Sequence, residues 1–518
     1  MFKLLYAGST SACFELENTE PYYSPEPYTV FLNRERAFED NRNVFSLFSL
    51  RPQTEYIVEL DIRGERETVT FKTSGETCAI NVRDFGAKGD GVTDDTAAIQ
   101  TAIHFLPGGG RLYFPEGVYS VLPLSLKSHI TLELSEHAVL LGSTRRENYQ
   151  VLPGSVPDLD GGCDIVLGAF EGEEKPMYEA LITAEYAEDI TIVGRGAIDG
   201  NAQNGDWWKV FHQDPVARPR LVFFNRCKNI TMHGVKARNS ASWQLHPFFS
   251  DNLRFLDVSV SAPKVSPNTD ALDPESCDGV EIIGCRFSVG DDCIAIKSGK
   301  INMARKYRRP ASSHTIRNCL MENGHGAITL GSEASAGVRE LDVSQCLFFK
   351  TDRGLRIKSR RGRGKYSRID DVTFENIKMD GVLVPIVINS WYNCVDPDGN
   401  SDYVQSREKL PIDDRTPYLG RFYFRNMECT NAEAAACYID GLTEKPIEAV
   451  ELSNVSVSFS PDSKPFIPAM QTYSVEQCRL GLYFENVSRV KLENVTVAGA
   501  DGEKLITKNC GEVTGSVI

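Results

Sequence analysis

A short phrase recurs through the second half of this 518-residue chain: a polar residue, apolar residues in alternation, then a branched residue or cysteine. It reads NITMHGV at 229, NLRFLDV at 252, GVEIIGC at 279, HTIRNC at 314, RELDVSQC at 339, DVTFENI at 371, RFYFRNM at 421, AVELSNV at 449 and RVKLENV at 489. The copies lie 23 to 50 residues apart. Irregular self-similarity of strand-length segments marks a solenoid, in which each repeat buries its apolar side only against its neighbours. Repeats built from strands alone predict an all-β chain wound as a right-handed parallel β-helix, with coils stacked at about the 4.8 Å strand spacing. A propeller would need longer and more even repeats.

Ahead of the repeats, residues 1–75 predict a separate β-sandwich. Two alternating strands, Tyr56–Ile62 and Glu67–Lys72, flank an Arg-Gly turn. Leu50, Pro52, Thr54 and Tyr56 form a Leu-x-Pro-x-Thr-x-Tyr pattern that resembles the fibronectin type III domain. The β-helix is then expected over 76–518. At its start, Gly86, Gly89 and Gly91 form a loop, and Thr93 or Asp94 is expected to cap a helix running through Ile99, Ile103 and Leu106. The loop matches neither dinucleotide nor Walker phosphate motifs, so capping explains it.

Composition narrows the function. A net charge of −15 disfavours general nucleic-acid binding. No run of about 18 apolar residues occurs, so no membrane span is expected. The apolar run Leu4–Ala7 is too short for a signal-peptide core, which predicts a cytoplasmic protein; a leader preceding this chain would instead place it in the periplasm or outside the cell. The 14 cysteines form no C-x-x-C pair, so no zinc or redox motif is read. Cys277, Cys285 and Cys293 are expected as core thiols. Four N-x-S/T matches, at Asn229, Asn454, Asn486 and Asn494, each sit beside a strand and read as turn residues.

In six coils a polar cluster follows the phrase by about 12 to 18 residues: SASWQLHP with Trp243, Gln244 and His246; SPNTDALDPES with Asn268 and Asp270; GDD with Asp291 and Asp292; NGHGAITLGSE with His325; RGLRIKSRRGRGK with Arg356 and Lys358; and NSWYN with Tyr392. Any one of these reads as a solvated turn. Six at matching phase predict one groove assembled from about 150 positions. Crowded carboxylates cannot all ionise, so Asp270, Asp291 and Asp292 offer the acid and base of glycosidic cleavage. His325 could tune the acid. Arg356 and Lys358, two apart on a strand, point the same way and suit a substrate carboxylate. Trp243 and Tyr392 offer faces for sugars. Lys297, Lys300, Arg353, Arg360, Arg361, Arg363 and Lys365 surround the zone, a basic island on an acidic chain. The partner expected is an acidic oligo- or polysaccharide.

At these residues the chain resembles glycoside hydrolase family 28, the polygalacturonases. Asn268-Thr269-Asp270, Gly290-Asp291-Asp292, Gly324-His325-Gly326 and Arg356-Ile357-Lys358 match the family's four motifs in order, and Tyr392 its tyrosine. The resemblance spans roughly 80–518. It implies inverting hydrolysis of α-1,4-linked galacturonan without a metal or other cofactor. It implies Asp291 as general acid, Asp270 and Asp292 as water-activating groups, His325 in support, and Arg356 and Lys358 on the sugar carboxylate. Stacked coils would bring the carboxylates closer than inverting enzymes usually hold them. The N-terminal domain, LGSEASAG after Gly326, and inserts at about 143–178 and 393–420 resemble the exo-acting branch, since exo action needs a wall across the groove. Endo action, or cleavage of xylogalacturonan or rhamnogalacturonan, is the alternative. Two other classes remain open: a calcium-dependent lyase on the same architecture, and a non-catalytic carbohydrate-binding β-helix, for which Asp291→Asn would be silent. No G-x-S-x-G occurs, which disfavours a serine hydrolase.

Overall fold

The computed structural model describes residues 1–209, 215–393 and 401–518. The first seven strands are β1 (Phe2–Ala7), β2 (Ala12–Leu16), β3 (Tyr23–Leu32), β4 (Glu35–Arg42), β5 (Val44–Leu47), β6 (Glu55–Ile62) and β7 (Glu65–Lys72). They form two antiparallel sheets, ordered β1-β2-β5 and β4-β3-β6-β7. Phe14, Val30, Phe45, Val58 and Phe71 fill a core of their own between them. Arg63 and Gly64, both at positive φ, make the two-residue turn that pairs Ile62 with Glu65.

The remainder winds as a parallel β-helix. One long sheet joins 24 strands, and each coil pairs in parallel with the next. A shorter face runs through Leu124–Ser125, Ile182–Glu185, Val222–Asn225 and Leu245–Phe248, then through Ile294–Ile296, Ile328–Gly331, Arg353–Lys358 and Val384–Asn389. Single bridges Leu245–Leu272–Ile294 and Phe248–Glu275–Lys297 tie its two parts together. Inward residues of every coil merge into one core from Val82 to Val497. Cys277, Cys285 and Cys293 belong to it, and the 13 described cysteines are all free thiols.

Asparagines within the phrase, and Asn486 just ahead of its last copy, have a physical role. Asn229, Asn252, Asn426, Asn454, Asn486 and Asn494 all take left-handed φ, which asparagine tolerates better than other side-chain-bearing residues. Their carboxamides stack: Asn454 Nδ2 donates to Asn426 Oδ1 at 3.0 Å, and Asn494 Nδ2 to Asn454 Oδ1 at 2.9 Å.

The helix near the start, α1, spans Thr96–Phe105. It begins later than the capping expectation: Asp95 occupies the cap without a side-chain bond, while Asp94 accepts the Thr96 N–H at 3.0 Å. Asp95 instead ties the glycine loop, accepting from the N–H groups of Lys88 and Gly89 at 2.6 and 2.9 Å.

The N-terminal unit docks on outward residues of the long sheet, not on the shorter face. Arg317 donates to both oxygens of Glu15, Arg42 pairs with Asp257 at 2.7 Å, and the buried His233 ring lies 3.0 Å from the hydroxyls of both Ser11 and Ser46.

Candidate active site

The six polar clusters fall on the shorter face and its entry turns. There the strand ends deliver Asp270, Asp291, Asp292, His325, Arg356 and Lys358 to one pocket of about 280 Å³. Asn268, Trp243, Lys297 and Tyr392 also line it.

The carboxylates differ sharply in their surroundings. Asp292 is 1% exposed, and both its oxygens are taken: Arg356 Nη1 donates to Oδ1 at 3.1 Å and Lys358 Nζ to Oδ2 at 2.9 Å. Burial would raise its pKa, but Lys358 and Arg356 outweigh it and hold the carboxyl well below the usual range. Asp270 has no such pair. Burial first, then Asp273 and Asp291, push its pKa well above the usual value, against the pull of Lys297. Asp291 accepts the backbone N–H of Asp292 at 2.9 Å and faces His325 Nδ1 at 3.4 Å. That contact raises the pKa of the half-exposed imidazole.

Asp270, Asp291 and Asp292 each bring one oxygen within 4.8 Å of the others, the crowding that stacked coils predict. A divalent ion could span that spacing. Here the charge of Asp292 is already met by two cations. His129, Glu188 and Asp189 make a second such group, at the surface.

Arg356 and Lys358 do share a side, as their spacing required, but in this state they serve Asp292. Arg356 Nη2 also contacts Met470 Sδ at 2.9 Å. Asn268 lies at φ 54° and accepts from Arg218 Nη2 at 2.7 Å.

Three residues of the SASWQLHP cluster, expected at the groove to bind substrate, are corrected. His246 is wholly buried and faces Glu275 Oε2 at 3.1 Å; burial, with Arg220 and Lys297, holds its pKa well below the usual value. Gln244 is also wholly buried, on the row of Ala271 and Cys293, both core residues. Trp243 reaches the pocket but is 3% exposed. The ring of Phe170 stacks at 5.4 Å and 27°, and Arg220 lies 4.1 Å from its centre, so no open face is left for a sugar. The cause is the insert at 143–178. Its Val166, Ala169 and Met177 pack with Phe223 and Phe248 over this part of the face.

The basic island divides as well. Arg361 is buried and holds both oxygens of Glu444, and Arg353 donates to the carbonyls of Pro468 and Ile467. Both are structural. Lys297 is buried among carboxylates. Lys300 lines the pocket rim.

Several pocket residues escaped the sequence reading: Phe170 and Glu171 from the insert, Glu333 two residues beyond the strand Ile328–Gly331, and Met470 from a distant loop. Asp273 and Glu275, buried behind them, lie in the SPNTDALDPES cluster three and five residues after Asp270.

Residues 165–475 match the family model described as glycosyl hydrolases family 28, and residues 79–133 match one described as rhamnogalacturonase A/epimerase, pectate lyase-like. A probable polygalacturonase from Vitis vinifera is 30% identical over 390 residues, covering 74% of each chain. A solved structure of a hyperthermoactive exopolygalacturonase from Thermotoga maritima aligns with a TM-score of 0.61 at 27% identity, over 80% of this chain and 91% of that one. A family 28 exopolygalacturonase from Yersinia enterocolitica aligns over 99% of this chain and 98% of its own, with a TM-score of 0.74 at 21% identity.

Proposed function

The chain belongs to glycosyl hydrolases family 28, and from that premise we propose that it hydrolyses α-1,4-galacturonosyl bonds of polygalacturonate from a chain end, with inversion. The observation that carries this reading is one pocket holding three converging aspartates beside Arg356 and Lys358.

Each side chain then has a task set by its surroundings. Asp291, the aspartate facing His325, gives its proton to the departing glycosidic oxygen. The imidazole holds the carboxyl in place and steadies its charge after transfer. Asp292, kept ionised by two cations, and Asp270, on the neighbouring coil, accept hydrogen bonds from the water that attacks the anomeric carbon on the opposite face. Arg356 and Lys358 extend their charge to the sugar carboxylate, which explains why two cations border one buried aspartate. The short distance between carboxylates belongs to a trough of stacked coils and is smaller than the separation usual for inversion.

Chain-end action is supported by the walls. The hairpin tip at Phe170–Glu171 closes one side, pinned where the Lys300 N–H donates to the Gly172 carbonyl at 2.8 Å. Met470 closes another. The Thermotoga maritima relative is described as an exopolygalacturonase, which agrees with this reading.

The test is a time course on polygalacturonate with products sized. Early mono- or digalacturonate with slow loss of viscosity is expected. An early spread of oligomers would replace chain-end action with endo action, and turnover only of substituted pectins would redirect the substrate to xylogalacturonan or rhamnogalacturonan. Full activity in Asp291→Asn would remove the acid assignment.

A further inference from the structure

The pocket has two ends along the coil axis, and they are built differently. At the early end the hairpin lies over Phe223 and Phe248, and Phe170 stacks on Trp243. At the late end stands the loop 466–475, which reads FIPAMQTYSV. Met470 brings that loop to the pocket wall, yet keeps 41% of its own surface outside. A polymer whose end is stopped by the hairpin keeps its remaining sugars beyond the scissile bond. They leave over the late coils, past Arg356, Tyr392 and Met470.

The loop is fixed at its base and bare at its tip. Phe466 and Ala469 pack on Val387 and Tyr438. The Met470 carbonyl accepts from Asn389 Nδ2 at 2.9 Å and from the Asn393 N–H at 3.1 Å. The Thr472 N–H donates to Gln405 Oε1 at 3.1 Å, and Ser474 Oγ donates to the Ala469 carbonyl at 2.9 Å. Gln471 bridges to Tyr392 and donates to the Tyr438 hydroxyl at 3.1 Å. Between these ties Tyr473 sits at φ 62° and is 91% exposed. A bulky residue resists the left-handed region, so the turn holds this ring out in water against the backbone's preference. Val475, 68% exposed, extends the apolar strip.

The strip also carries no charge. From Phe466 to Val475 no residue is acidic or basic, on a chain of net charge −15. Most of such a surface repels a polyanion. Here the carboxylates of a galacturonan meet no like charge, and the C–H face of a pyranose can lie on an aromatic face. Tyr473 follows Met470 by three residues, a span of at most about 11 Å, which is within reach of the sugars next outside the pocket.

We propose that Tyr473 is a substrate-binding platform: its ring stacks on a galacturonate unit of the chain trailing out of the pocket, flanked by Met470 and Val475. This rests on the galacturonan reading above and extends it from the bond that is cut to the length of chain that is held.

The experiment compares kcat/KM of the full chain on polygalacturonate with that on the shortest oligogalacturonate it cleaves, in wild type, Tyr473→Ala and Tyr473→Trp. In Tyr473→Ala the ratio of long to short should fall roughly three- to tenfold, the worth of one aromatic contact, through KM rather than kcat. Tyr473→Trp should restore it. An unchanged ratio overturns the proposal. So does an equal loss on both substrates with a lowered melting temperature, which would make the tyrosine a support for the loop. Another exit runs beside Lys264, the exposed cation of a neighbouring cavity of about 350 Å³ that shares Asp291 and His325 with the pocket. A ratio that falls in Lys264→Ala and not in Tyr473→Ala would send the chain that way instead. A wild-type dimer in light scattering that Tyr473→Ala dissolves would make the strip an interface between copies. A readout without turnover separates this from the hydrolytic reading: calorimetric titration of a long oligogalacturonate into Asp291→Asn, with and without Tyr473→Ala. The double variant should bind more weakly by the same factor. Equal affinities overturn the platform whatever the enzyme cleaves, whereas no binding to either variant removes the galacturonan reading itself.

Discussion

Along a single row of the shorter face, Thr329, Arg356, Val387, Tyr438 and Tyr483 stand on successive coils in register. The row changes character in one step. Up to Arg356 it borders the aspartates; from Val387 on it is apolar, and Tyr438 stacks on Tyr483 at 4.9 Å and 8°. The long sheet changes at nearby coils. In the site coils it is broken into short pieces, such as Asp278–Ile283 and Arg286–Ser288, whereas after residue 367 it runs in unbroken strands: Arg368–Asp380, Arg421–Ala432, Ile447–Phe459 and Val487–Ala498. The coil is the same device in both halves. Where the row is apolar, with Val387 and Tyr438 packed against Phe466 and Ala469, the stack supplies stability alone. Where inserts wall off the row and charges replace its outward residues, the stack supplies a pocket.

The comparison predicts that mutations in the two halves separate activity from stability. The largest effect belongs to the site. Asp291→Asn keeps the shape and removes the transferable proton, so kcat should fall by roughly 100- to 10,000-fold, the range of general acid catalysis, with the melting temperature nearly unchanged. An equal loss of activity and stability would mean that the aspartate serves the fold.

Asp292 should couple the two properties, because it is both in the pocket and wholly enclosed. Asp292→Asn leaves Arg356 and Lys358 buried without their carboxylate, which should cost about 3–5 kcal/mol near neutral pH in addition to activity. The sign of its pH dependence is fixed. A carboxyl whose folded pKa is depressed contributes stability that is present above its unfolded pKa, about 3.9, and lost as pH falls toward the folded value. The gap between wild type and Asp292→Asn in urea unfolding should therefore be full at pH 7 and narrow below about pH 4. A gap independent of pH would show that packing, not charge, is what the substitution removes.

The wall itself is the next test. Phe170→Ala uncovers the Trp243 ring and loosens the hairpin that closes the pocket. A fully buried Phe→Ala costs about 3–5 kcal/mol; with the ring half-buried, roughly 2 kcal/mol is expected. The informative readout is product size. Longer oligomers should appear early in the digest while kcat on short substrates changes little. Unchanged products would leave the hairpin a structural cover only.

These expectations also mark what the sequence could and could not disclose. Strand alternation and repeat phase place Asp270, Asp291, Asp292, His325, Arg356 and Lys358 together, because phase around a coil is a local property of the chain. They misplace His246 and the open face of Trp243, because the covering Phe170, Ala169 and Met177 come from an insert some 70 residues earlier whose docking no periodicity encodes, and they misplace Gln244, which stands on the core row of Ala271 and Cys293. The arginine run was ambiguous for the same reason. Arg361 turns inward only because Glu444, on a later coil, is there to meet it.

The regular half offers the smallest effect and the cleanest contrast. Asn454 stands in the middle of a carboxamide ladder, giving a hydrogen bond to Asn426 and receiving one from Asn494, at a φ of 54°. Alanine there loses both bonds and must hold a left-handed backbone, each worth about 1 kcal/mol, discounted because the ladder is exposed to water. Asn454→Ala should therefore lower stability by about 1 kcal/mol, Asn454→Gly by less because glycine accepts the φ, and both should hydrolyse substrate as the wild type does. If either variant shifted the pH profile or the product sizes, the coils after residue 367 would have to be counted as part of the catalytic apparatus, and the division along the row at Val387 would not hold. If both affect melting alone, the repeat is a scaffold there, and the chemistry is confined to coils whose outward residues an insert has enclosed.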